Sequence, residues 1–245
     1  HEATLTNTLA SLPDWMGFDV SLDGDHLATC LHPPFGQDQV WFWSYDGAQW
    51  HIAAKKNVAS AVSVAIDCGR AVVGDPFNNR VCMFRMQNGT WSFDGYILPA
   101  DGSGSGHEFG KDVDLCGAYL MVGKPGDDVQ QPASGSAYIY REDQYGYWKQ
   151  YAKLSPWAPD MFEHFGYRVA LSPNHAISGA YGWKGNRGSA YTYTNLTEPC
   201  DRIIDWCWLE LFPGEEVRSE SGDLGIAGTG CLVSLEQASR LECLS

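Results

Sequence analysis

Apolar and polar positions alternate along this chain in short runs, each closed by a glycine-rich or polar turn. That is the pattern of half-buried β-strands rather than of helices. Residues 109–140 show the unit most clearly. They open on Phe109-Gly110, continue into an alternating strand, turn at Gly117 and enter a second strand that ends at Gly123. A polar loop follows, and the stretch leaves through Gly135-Ser136-Ala137-Tyr138. Residues 165–193 repeat the order with Phe165-Gly166, Gly179 and Gly188-Ser189-Ala190-Tyr191. Residues 62–84 keep the strand, the turn, Val72-Val73-Gly74-Asp75-Pro76 and the outgoing strand, but lack the Phe-Gly pair. Residues 17–43 form another copy, leaving through Gln39-Val40-Trp41-Phe42-Trp43. The faintest copy is 217–235, with a Gly222-Asp223 turn and Leu224-Gly225-Ile226-Ala227-Gly228.

Every copy except the last runs into a further strand announced by an aromatic after a turn: Trp50, Trp91, Trp148, and Trp206 or Trp208. Four antiparallel strands per repeat predict an all-β fold, a β-propeller of about five four-stranded blades. The approximate blades are 16–55, 58–99, 108–155, 164–212 and 214–245 of one domain spanning 1–245. Residues 5–12 resemble the outgoing strand 151–155 and are expected to complete the last blade. Closing the ring in this way would leave no open sheet edge. The recurring tryptophans and the Trp41-Phe42-Trp43 run sit at equivalent strand positions and read as packing between sheets.

The Phe-Gly pairs, Val72-Val73-Gly74-Asp75-Pro76, Val122-Gly123-Lys124-Pro125 and the two Gly-Ser-Ala-Tyr stretches resemble the FG-GAP repeat family, known from integrin α-subunit heads and from secreted bacterial and algal proteins. The resemblance implies the propeller fold and leaves function open. Integrin-like repeats often carry a DxDxDG calcium loop between second and third strands. Here Gly126-Asp127-Asp128 and Asp75-Pro76-Phe77-Asn78-Asn79 stand in that place, with fewer carboxylates than an oxygen cage wants. Calcium is therefore left open, and no other cofactor or metal site is expected.

Composition narrows the classes. A formal charge of -14 without a basic stripe removes the main attraction for nucleic acid. No run of apolar residues is long enough for a membrane-spanning helix. Eight cysteines without CxxC pairs read as disulfide candidates: Cys200 with Cys207 across a local hairpin, Cys68 with Cys116 between adjacent blades, Cys231 with Cys243, and Cys30 with Cys82 by elimination. Sequons at Asn88 and Asn195 mark glycosylation candidates. Together with a start at His1 rather than Met, these features point to a processed, secreted, extracellular protein. A copper site at His1 is the remote alternative to a tag remnant.

In a propeller, the loops between second and third strands share one face with the connections to the next blade. That face is the expected binding surface. It carries His32, Phe35, Asp75, Phe77, Asp127, Asp128, Trp157, Tyr181, Trp183, Lys184 and Arg187, rings and polar groups suited to a glycan or an extracellular protein, including a larger assembly. The glycine-flanked Trp183 is the foremost candidate. His107-Glu108 and Glu163-His164 precede the Phe-Gly pairs and would need a third ligand to hold a metal. No nucleophile elbow, phosphate loop or metal-ligand helix appears, which favours a non-enzymatic module. The alternative is a glycoside-active enzyme using inner-strand carboxylates, for which Asp19, Asp112 and Asp114 are the candidates.

Overall fold

The computed structural model describes residues 4–6, 15–102, 106–194, 217–218 and 224–225. The chain divides into two units, 1–198 and 199–245. The first is all-β and holds three four-stranded antiparallel meanders and one three-stranded meander, arranged as successive propeller blades. Blade 1 comprises β1 (Val20–Asp23), β2 (His26–Leu31), β3 (Gln39–Tyr45) and β4 (Trp50–Asn57); blade 2 comprises β5 (Ser63–Asp67), β6 (Arg70–Asp75), β7 (Arg80–Gln87) and β8 (Thr90–Ile97). Blade 3 is β9 (Val113–Cys116), β10 (Tyr119–Lys124), β11 (Ser136–Glu142) and β12 (Trp148–Leu154), and blade 4 is β13 (Arg168–Leu171), β14 (His175–Ala180) and β15 (Ser189–Thr194). In the second unit the described residues are a short ladder, Val217–Arg218 with Leu224–Gly225.

The all-β propeller of four-stranded blades is as the repeat pattern predicts, but the described residues hold four blades rather than about five. The fourth strand of blade 4, the 214–245 copy apart from that ladder, and most of the 5–12 strand lie outside the described residues. So do Asn195, Cys200, Cys207, Cys231, Cys243 and His1.

Strand alternation sends successive side chains to opposite neighbours, so the core lies between blades. Phe42, Phe84 and Trp91 fill the first interface, where Trp91 stacks on Phe42 with ring centroids 4.4 Å apart. Tyr138 and Tyr140 point towards blade 2, while Ile139, between them, points towards blade 4. Trp41 and Trp43 face away from blade 2 and pack with Leu5 and Met16.

The Phe-Gly pairs build the blade junctions. Phe109 and Phe165 are fully buried, and the glycines after them take φ of 91° and 89°, which a side chain would strain. That conformation lays the Gly110 carbonyl against the α-carbon of Gly74 and the Gly166 carbonyl against that of Gly123. Cys30 occupies the corresponding place in blade 1, hydrogen-bonded to Asp19 O as Gly123 is to Asp112 O, and the next blade there has no Phe-Gly pair.

Two cysteine expectations are overturned. Cys30 and Cys82 are thiols, not a disulfide; both are packed into the apolar interface of blades 1 and 2, and burial pushes the Cys82 thiol up to about 12. The clasp between Cys68 and Cys116 does not form either.

Candidate functional site

In these meanders the connections after β2, β6, β10 and β14 emerge at the same edge as those leading into β5, β9 and β13. The most exposed rings there are Phe35 at 81%, Phe77 at 82% and Trp157 at 90%, each on a different blade or junction. Phe77 rides on a single 3₁₀ turn, Pro76–Asn78, that is heavily braced. Beneath it the buried Asp75 carboxylate accepts hydrogen bonds from Asn78 Nδ2 and Arg80 Nε, and Asn79 Oδ1 accepts from Phe109 N. Asp75 is thus the strut of the loop, and Phe77 is what the loop presents.

Blade 3 offers charge instead of a ring. Lys124, nearly fully buried, lies 3.2 Å from Asp127 and 3.5 Å from Asp101. Lys153 pairs with both aspartates, Tyr138 OH donates to Asp101, and Ser136 Oγ donates to Asp127 at 2.7 Å. Burial opposes ionisation of Asp127, but Lys153, Ser136 and Lys124 outweigh it and hold its carboxyl at about 2. Asp127 is therefore committed to the lysine cluster of blade 3, and through the same lysines and Tyr138 the cluster holds Asp101 of the preceding connection. Asp128 is exposed, with one oxygen accepting from Ala133 N at 2.7 Å. The two are not a paired oxygen cage.

At the junction of blades 3 and 4 the structure gathers residues that sequence reading left apart. Tyr181 stacks on His164 with centroids 4.9 Å apart and planes 7° from parallel, and Tyr167 meets its edge at 4.7 Å. Lys111 Nζ sits 5.4 Å over the Tyr167 ring and 3.5 Å from Glu108 Oε1. Burial, then Tyr167 and Glu108, push the Tyr181 phenol up. Glu108 and His164 take φ of 57° and 55° at matching positions before the two Phe-Gly pairs, which turns their side chains onto the loop face. Met161 and Phe162 are more than half exposed beside them. Trp183 is half-buried under the ammonium of Lys184, 4.4 Å from its ring centroid, and Arg187 is exposed at the end of the same turn. The recurrence of a polar residue immediately before Phe-Gly was the signal for Glu108 and His164; Tyr167 and the stacking had none.

His107 Nδ1 lies 3.5 Å from Asp127. Neither His107-Glu108 nor Glu163-His164 belongs to a metal-sized group among the described residues, and Glu163 is buried with its Oε1 accepting from Tyr191 OH. The group that does form is Asp23, Asp67 and Cys68, but Cys68 is disulfide-bonded and offers no thiolate. The inner-strand carboxylates are engaged as well: Asp19 accepts from Val64 N, Asp112 from Val169 N and Asp114 from Leu171 N.

The FG-GAP repeat family matches this chain over residues 91–140 and 148–193. Among solved structures, a protein from Lactobacillus plantarum is similar at 14% identity with a TM-score of 0.47; 71% of this chain and 55% of that one are covered, little more than half its length. No curated protein matches.

Proposed function

Since FG-GAP repeats match residues 91–140 and 148–193 of this chain, we propose that it is a secreted, non-enzymatic binding or scaffolding module that engages a glycan or an extracellular protein through the loop face. One observation carries the reading. Phe35, Phe77 and Trp157, each more than four-fifths exposed, project from separate loops on one face of a rigid sheet scaffold. Rings held out in water, as Phe77 is on its braced turn, are poised to stack on sugars or to enter a partner's pocket. The Tyr181–His164–Tyr167 group, with Lys111 and Glu108, adds hydrogen-bonding groups beside an aromatic plane. Calcium is not required by this reading. Asn88 lies in the exposed β7–β8 turn on the opposite face, so a glycan there would leave the loop face open.

A fifth blade from residues 214–245, with 5–12 as its last strand, would complete the propeller. Support comes from unequal burial at equivalent positions. Val64 and Ile66 of β5 are 4% and 6% exposed beneath the preceding blade, whereas Val20 and Leu22 of β1 are 58% and 61% exposed.

The binding reading is tested with a glycan array and affinity capture from extracellular fluid, comparing wild type with Trp157→Ala and Trp183→Ala. Each variant is expected to weaken a specific ligand at least roughly tenfold, as loss of an aromatic anchor does. Unchanged binding by both would remove the loop face from consideration, and turnover of a glycoside substrate would favour the enzymatic alternative.

A further inference from the structure

The inner strand of each propeller blade has one edge with no sheet partner, and its N–H groups need acceptors. Here they are met by side chains of the preceding blade. Asp19, Ser21 and Asp23, at alternate positions of blade 1, accept from Val64 N, Ile66 N and Cys68 N at 2.7, 3.0 and 2.7 Å. Asp67 of blade 2 accepts from Gly117 N at 2.7 Å. Asp112 and Asp114 of blade 3 accept from Val169 N and Leu171 N at 2.7 and 2.6 Å. The result is a ladder in which a row of side chains replaces the missing strand.

Its cost is electrostatic. Five aspartates from three blades converge on the axis, and the cations that answer them are few. Arg168 NH1 lies 3.0 Å from Asp112 and also favours ionised Asp19, while Arg70 stands 3.8 Å from Asp67. Asp112 and Asp67 disfavour a charge on Asp114, Asp19 disfavours one on Asp112, and Asp23, whose carboxylate comes within 4.8 Å of that of Asp67, disfavours one there. We propose that this ring of carboxylates is an acid-tightened clamp: proton uptake at the axis strengthens the attachment of blade to blade as pH falls from neutrality, and proton release loosens it.

Burial, the largest cause, holds the carboxyls of Asp19, Asp67, Asp112 and Asp114 above their ordinary value of 3.8. Such a group binds its proton more tightly folded than unfolded. Its contribution therefore grows as pH falls towards about 4 and is lost as pH rises through the folded value. A protonated carboxyl keeps a carbonyl oxygen for the backbone N–H, so the ladder survives while the repulsion goes.

The test is thermal unfolding between about pH 7.5 and about pH 5. Wild type should gain roughly 2–5 °C in Tm on acidification. Asp112→Asn with Asp114→Asn, which keeps the acceptor oxygens, should lose at least half of that gain, and Arg168→Gln should enlarge it. All seven histidines are common to these proteins, so the differences read the axis. A wild-type Tm that stays flat or falls, or a full gain in the double variant, overturns the proposal. Should the double variant not fold, carboxyl ¹³C titration of the wild type decides: midpoints for Asp112 and Asp114 above the ordinary value support the clamp, and midpoints at or below it refute it.

Discussion

Asp127 has the opposite electrostatic balance from the axial aspartates, although both are largely buried. With Lys124 and Lys153 at 3.2 and 2.8 Å and Ser136 donating to it, its carboxylate is more stable folded than unfolded. Its folded value of about 2 lies below the ordinary 3.8. The sign follows: the contribution is fully present above the ordinary value and is lost as pH falls towards about 2. Asp127→Asn should therefore lower stability at neutral pH by about 1–3 kcal/mol and flatten the acid limb of the pH–stability curve. Denaturant titrations at neutral and acid pH would read both effects, and an unaltered acid limb would show that the lysines do not act on this carboxylate. Two aspartates of one domain thus respond to acid in opposite directions because one faces ammonium groups and the other faces more carboxylates.

Among the elements, the junction glycines carry the sharpest expectation. A methyl on Gly123 would overlap the carbonyl of Gly166, a backbone atom that cannot swing aside. Gly123→Ala should cost about 3 kcal/mol or more. Gly179 holds the same place in blade 4, accepting from Gly166 N as Gly123 accepts from Gly110 N. Its neighbours among the described residues leave room: Arg168 O at 3.7 Å and Arg168 Cβ at 3.8 Å. Gly179→Ala should match Gly123→Ala if a fifth blade seats a glycine there, and should lie within about 0.5 kcal/mol of wild type if none does. Urea unfolding of the two variants separates these outcomes.

The blades themselves were legible in the sequence because alternation, turns and the Phe-Gly and Gly-Ser-Ala-Tyr markers are local. The placement of Phe35, Phe77 and Trp157 on the exposed face followed from topology alone. What could not be read was pairing at a distance. Asp19, Asp112 and Asp114 were recognisable as inner-strand residues, but their acceptance of N–H groups from another blade, about 45 to 57 positions away, leaves no local mark. The same holds for His164 stacking on Tyr181, and for Cys30, whose role as filler of a glycine's place depends on the blade that follows.

At the scale of the molecule, what matters is whether the two end faces are covered. The exposed Val20 and Leu22 have counterparts in Val113 and Leu115, which are 6% and 8% exposed under blade 2. Leaving a stripe of such residues in water forfeits about 1.5–3 kcal/mol per side chain relative to burial. On the same face of blade 1, the described part of the N-terminal segment already packs, since Leu5 contacts the cluster of Leu31, Trp41 and Trp43. If residues 1–12 supply the last strand of a closing blade, deleting them removes that cover and opens a sheet edge as well. The truncated protein should melt several degrees lower, by roughly 5–10 °C, and should self-associate with rising concentration through the bared edge. Scanning calorimetry combined with sedimentation velocity checks both. A truncated chain that melts with the full one and stays monomeric would mean that the ring does not depend on its N-terminal strand, and that the apolar stripe on β1 is reserved for some other occupant.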